Sequence, residues 1–98
     1  MTLEIKRSAT ETTIKVVGSL DVFTAPVLEK MINKISCDSS NVVLELSGLE
    51  FISDSGISAI LKTHERVSST GSLRLVGVNN SVKAIFADDV RANVLSIN

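Results

Sequence analysis

Asn41-Val-Val-Leu-Glu-Leu-Ser-Gly-Leu-Glu-Phe-Ile-Ser-Asp-Ser-Gly56 changes character three times in one short stretch. Residues 41–46 form a mostly apolar run, the pattern of a strand covered on both faces. A central place in a mixed sheet follows. Ser47-Gly48 turns the chain, and Leu49, Phe51 and Ile52 carry the buried character onward. Ser53-Asp-Ser-Gly56 then opens a helix in which Ile57, Ile60, Leu61, His64 and Val67 share one face. Ser58, Lys62, Thr63, Glu65 and Arg66 lie on the other side, and Gly71 is expected to stop the helix.

Working outward, Leu3, Ile5 and Arg7 alternate with Glu4 and Lys6, which predicts a half-buried strand. Ile14, Val16 and Gly18 repeat the pattern after a short connection at residues 8–11. Gly18-Ser-Leu-Asp21 breaks it. Thr24 is expected to cap a first helix with Pro26 in its first turn, where a missing N–H costs nothing. Val27, Leu28, Met31, Ile32 and Ile35 form its apolar stripe, and Cys37-Asp-Ser-Ser-Asn41 is loop composition. Beyond the second helix, Leu73, Leu75 and Val76 to Val78 predict a strand. Asn79-Asn-Ser81 opens a short helix with Val82, Ile85 and Phe86 inward, and Val94, Leu95 and Ile97 a last brief strand. The order is β-β-α-β-α-β-α-β. Helices alternating with strands imply parallel crossovers, hence one α/β domain over residues 1–98: a mixed sheet of four to five strands with helices packed on it.

Composition narrows the function. Ten Lys and Arg against 11 Asp and Glu give a net charge of −1, without the basic excess of a nucleic-acid binder. Three Phe and no Trp or Tyr leave few platforms for stacking bases. A single cysteine, Cys37, excludes an internal disulfide framework and is consistent with a reducing, cytoplasmic setting. The alternating, charged amino terminus is unlike a signal peptide, and no apolar run is long enough to span a membrane.

Residues able to carry catalysis are scarce. His64, the one histidine, falls in mid-helix at the edge of the apolar face, where packing its ring is the plain reading. A sugar-uptake type phosphocarrier would place its histidine at an exposed helix start. Asp88 and Asp89 suit a turn or cap better than a metal site, and Cys37 reads as an inert thiol. Phosphate-loop and dinucleotide glycine patterns are absent, and Ser53-Asp-Ser-Gly56 is not a nucleophile elbow. No catalytic residue, metal or cofactor is expected. Ser55 stands apart. It or Asp54 suits a helix N-cap, yet its small polar neighbours also present its hydroxyl at a helix start, where a phosphate is tolerated.

The stretch Leu46-Ser-Gly-Leu-Glu-Phe-Ile-Ser-Asp-Ser-Gly-Ile-Ser-Ala-Ile-Leu61 resembles the signature of STAS domains, specifically the bacterial anti-sigma factor antagonists. Gly18-Ser-Leu-Asp21 resembles the family's Gly-Glu-Leu-Asp element, Pro26 fits the first helix, and the likeness in element order covers essentially the whole chain. It implies a STAS-like fold and a partner switch. An anti-sigma factor that is also an ATP-dependent serine kinase binds the unmodified antagonist and releases its sigma factor. The kinase phosphorylates the serine before the motif glycine, here Ser55, and a metal-dependent serine phosphatase resets it. Asp21, Thr24, Ser53, Asp54, Gly56 and Ser58 are the implied partner-binding residues. Two positions depart from the family pattern: Ser53 replaces an aspartate and Ser19 a glutamate. Both lie at the implied partner surface and bear on which partner is recognised. Ser53 is a secondary candidate for modification; Ser55 is preferred because it precedes Gly56.

Two other readings use the same residues. STAS-type domains also serve as scaffold subunits beside a lipid-transport ATPase or in stress-signalling assemblies, with the serine unmodified. An acyl-carrier attachment at Asp54-Ser55 would require a strongly acidic helical bundle, whereas this chain is near neutral and has several predicted strands.

Overall fold

The alternating amino-terminal segments pair as an antiparallel hairpin, β1 (Thr2–Arg7) with β2 (Thr12–Leu20). The computed structural model describes residues 1–36, 41–69 and 71–97. At the hairpin turn the Ser8 N–H donates to the Glu11 carbonyl at 2.8 Å, and the Ser8 hydroxyl accepts from the Glu11 N–H at 3.1 Å. β1 is an edge strand and is less buried than its alternation predicts. Only Leu3 packs on the core, while Ile5 is exposed. With a partner on one side only, alternation fixes which face a residue takes but leaves that face open at the sheet margin.

Helical crossovers then make the sheet parallel. The chain continues through α1 (Ala25–Ser36), β3 (Asn41–Glu45), β4 (Leu49–Ile52), α2 (Asp54–Ser68), β5 (Ser72–Val76), α3 (Asn80–Ala87), a 3-10 turn (Val90–Val94) and β6 (Ser96–Ile97). The strand path is β1-β2-β3-β5-β6, mixed because only the β1–β2 pair is antiparallel. The expected α/β architecture and element order are therefore present. β4, whose residues were expected to carry the buried character on past the Ser47-Gly48 turn but not as a separate strand, is an additional strand. β2 holds β3 along Thr12–Lys15 and β4 along Gly18–Leu20, with a register shift between Gly18 and Ser19. Gly18 makes the change of partner possible, because its φ of +107° is one that side chains disfavour. Its N–H meets the Gly48 carbonyl at 2.9 Å and so pins the turn between the two short strands to β2.

The core gathers the inward faces of the sheet and helices: Ile14, Val16 and Leu20 from β2, Val42 and Leu44 from β3, Leu28 and Ile32 from α1, Ile57, Ile60 and Val67 from α2. Val27 does not join the α1 stripe; the buried face runs through Ala25, Leu28, Ile32 and Ile35, and Val27 is turned outward. Phe51 is likewise half out of β4, whose inward residues are Leu49 and Ile52. Thr63, expected outside, is buried in α2. Its hydroxyl hydrogen-bonds back to the Ile60 and Ala59 carbonyls at 2.9 and 3.1 Å, which removes the cost of burying it. α2 ends without a left-handed glycine: Ser69 caps it in right-handed geometry, and the Gly71 N–H bonds to the Val67 carbonyl at 2.8 Å. α3 begins as its sequence predicts, with the Asn79 side chain accepting from the Val82 N–H. Cys37 lies outside the described residues. Among those described, no helix is long and apolar enough to cross a membrane.

Candidate functional site

Ser53 caps α2. Its extended backbone and its Oγ, which accepts from the Gly56 N–H at 3.2 Å, satisfy one of the helix's orphan donors. The capping role open to Asp54 or Ser55 is therefore taken by neither. Ser55 sits in the first turn with an exposed side chain whose hydroxyl bonds to none of the described residues. Gly56, expected on the partner-binding face, is instead buried. A methyl group there would lie 2.6 Å from the Leu20 carbonyl and 2.8 Å from Ile52 Cγ1. The helix start thus seats directly on the end of β2, and the Ser53 N–H reinforces this by donating to the same carbonyl at 2.9 Å.

That contact brings the β2–α1 turn beside the start of α2. Asp21 closes the turn: one carboxylate oxygen accepts from the Phe23 N–H at 2.9 Å and the Thr24 N–H at 3.1 Å. These bonds, Thr24's first, hold the Asp21 carboxyl below its ordinary range, because they favour the ionised form. Thr24 was expected to cap α1 with its side chain. Its hydroxyl works backward instead, donating to the Ser19 carbonyl and accepting from the Asp21 N–H, both at 2.9 Å. Asp21 and Thr24 together shape a rigid turn next to the helix start.

On the other flank stands Arg91, from the 3-10 turn. Its Nη2 lies 2.7 Å from Asp54 Oδ1 and 2.7 Å from Asp89 Oδ2, and its Nη1 donates to Ser58 Oγ at 3.2 Å. The guanidinium draws the Asp89 carboxyl below its ordinary range, and the carboxylates raise Arg91 in turn. Asp89 is thus an anchor for Arg91, in keeping with the turn role expected of it, and Asp88 is the C-cap of α3.

Around this polar patch stand large apolar side chains left in solvent. Phe23 is 84 % exposed and Val90 80 %, with Val22, Val27 and Phe51 each half exposed or more. Solitary exposed apolar residues are ordinary, but Val22, Phe23 and Val27 share one turn and the helix start after it, beside Asp21. The sequence signal was available: two large apolar residues in a segment otherwise built to turn. Arg91 gave no such signal, because 37 residues separate it from Asp54. His64 stays half-buried in α2, about 13 Å along the helix from Ser55 at 1.5 Å per residue. Among the described residues no cluster of His, Cys, Asp and Glu has the makings of a metal site.

An exposed serine at a helix start, flanked by an aspartate turn on a mixed sheet, defines a recognisable class. The STAS domain family model matches residues 2–88, and the chain belongs to that family. A search of curated proteins finds no significant match. Among solved structures, the chain is similar to an anti-sigma factor antagonist from Mycobacterium paratuberculosis, with 21 % identity over 98 % of this chain and 83 % of that one, at a TM-score of 0.86. The Bacillus cell fate determinant SpoIIAA in its phosphorylated form matches over 99 % of this chain and 91 % of its own, with 13 % identity and a TM-score of 0.75. The mouse anion transporter Slc26a9 matches over 93 % of this chain but 17 % of its own, with 21 % identity and a TM-score of 0.69.

Proposed function

We propose that the protein is an anti-sigma factor antagonist acting in the cytoplasm, a non-catalytic switch whose state is set at Ser55. The observation that carries this reading is the Ser55 hydroxyl, exposed at the start of α2 and bonded to none of the described residues while Ser53 does the capping. In the unmodified state the face formed by Asp21, Thr24, Asp54, Ser58 and the exposed Phe23 docks on an anti-sigma factor that is also a serine kinase. That kinase transfers the γ-phosphoryl group of ATP to Ser55 Oγ. The new O–P bond forms as the β,γ bridge breaks, ADP leaves, and the hydroxyl proton passes to a base on the kinase. A metal-dependent phosphatase restores the serine by hydrolysis. Similarity to a protein described as an anti-sigma factor antagonist, and to one described in a phosphorylated form, supports the reading.

The energetics favour a change in binding over a change in folding. A phosphoserine moves the net charge from −1 to about −3. The α2 dipole returns roughly 0.3–1 kcal/mol, and repulsion from one carboxylate at 4 Å in water is about 1 kcal/mol, so the two nearly cancel. In a desolvated interface an unpaired charge costs about 2–5 kcal/mol, which weakens binding about 30-fold to several thousand-fold.

The test is incubation of the full chain with its cognate kinase and ATP, followed by intact mass and binding measurements. Ser55→Ala should block the added phosphate and retain binding; Ser55→Asp should weaken binding with little change in Tm. Unfolding of both variants would make Ser55 a structural residue and overturn the switch. The alternative is a non-switching scaffold subunit, which the occurrence of the same fold within an anion transporter supports. A chain that binds its partner and never takes up phosphate would favour it.

A further inference from the structure

We propose that Arg91 is the internal receptor for a phosphate on Ser55, exchanging Asp54 for the phosphoryl oxygens when Ser55 is modified. The inference rests on the reading of Ser55 as the modified residue. Arg91 is held unevenly. Asp89 grips it with both oxygens, which accept from Nε at 3.0 and 3.2 Å and from Nη2 at 2.7 Å, and the Asp89 side chain is only 15 % exposed. The contact with Asp54 is a single 2.7 Å bond to a carboxylate 85 % exposed, and the contact with Ser58 is a longer bond of 3.2 Å. One side of the guanidinium is therefore anchored and the other is readily exchanged.

Helix geometry puts Ser55 beside the exchangeable side. Asp54 and Ser58 lie four residues apart on one stripe of α2, and Ser55 is a neighbour of Ser58 three residues before it. A phosphate there arrives next to Ser58, which Arg91 touches, on the residue that follows Asp54, its other contact on α2. It offers a dianion and three acceptor oxygens, and a planar guanidinium binds such a group better than it binds one exposed carboxylate. Among the described residues, the charged groups about the position are Asp54 on α2, Asp21 on the β2–α1 turn, and Asp89 and Arg91 on the carboxy-terminal segment. Arg91 is the cation of this set. By moving toward the phosphate it offsets the repulsion from Asp54 and ties the 3-10 turn to the modification state.

The experiment installs phosphoserine at position 55 of the full chain during translation, with no kinase involved, in the parent protein, Arg91→Gln and Arg91→Lys. Circular dichroism verifies folding in each. The parent's phosphorus resonance is expected to titrate about half a pH unit lower than that of Arg91→Gln, and the Arg91 Nε–H resonance to move on phosphorylation. Arg91→Lys keeps the charge without the fork and should recover only part of the difference. Equal titration midpoints in parent and Arg91→Gln, with an unmoved Arg91 resonance, would overturn the inference; so would full recovery by lysine, which would reduce Arg91 to a general charge. Since no kinase takes part, failure here leaves the partner switch standing, and a kinase that ignores Ser55 leaves this result readable.

Discussion

Gly56 makes the site possible by what it lacks. With the Leu20 carbonyl 2.6 Å and Ile52 Cγ1 2.8 Å from where a methyl would sit, alanine must push the start of α2 off β2. Overpacking costs about 1–3 kcal/mol, against the roughly 1 kcal/mol that alanine gains in helix propensity. Because one obstacle is backbone, the clash should prevail. Gly56→Ala is expected to lower Tm by several degrees and to weaken partner binding, since it displaces Ser55 from the Asp21 turn; thermal unfolding and a binding titration check both. An unchanged Tm would show that α2 does not need this contact. Ser53 and Ser55 are alike as residue types and differ in one hydrogen bond. Composition alone left the capping residue open, because serine and aspartate are nearly equal as N-caps and only the backbone angles choose between them.

At the level of elements, β4 owes its place to β2 on one side and α3 on the other. Asn79 joins the second pair. Its Nδ2 donates to the Leu49 carbonyl at 2.7 Å while its Oδ1 caps α3 through the Val82 N–H at 2.9 Å. Asn79→Ala removes both bonds and should destabilise the fold by about 2–3 kcal/mol. Asn79→Ser keeps a capping oxygen but is too short to reach Leu49, so it should fall between parent and alanine in urea unfolding. Equal stability of the serine and alanine variants would assign the effect wholly to β4. This strand was not legible as a strand. Leu49 and Ile52 read correctly as buried, but four residues after a glycine turn look like a loop until β2 is seen to extend past its pairing with β3.

For the molecule as a whole, the polar helix start and the exposed apolar turn are brought together by topology. The turn after β2 and the start of α2 lie far apart in sequence, yet the Leu20 carbonyl receives the Ser53 N–H. Phe23, 84 % exposed, contributes little to the fold and lies on the turn that the proposed docking face includes. Phe23→Ser is therefore expected to change stability by less than about 0.5 kcal/mol and to weaken partner binding by about tenfold or more. Calorimetric titration against the proposed anti-sigma factor partner measures the second effect, and undiminished affinity would remove Phe23 from the proposed docking face.

The α/β class, the alternation of strands and helices, the apolar face of α3, the Ile57, Ile60 and Val67 part of the α2 face and the exposed serine motif were all set down in the sequence. Each depends on periodicity or turn chemistry within a few neighbouring residues. Periodicity tells a residue which side of its own element it occupies, but not what stands opposite. So the outward placement of Val27 and Phe51, the lane taken by β4, the burial of Gly56 and the meeting of Arg91 with Asp54 were decided only when distant segments packed, because each depends on a neighbour that no local pattern encodes.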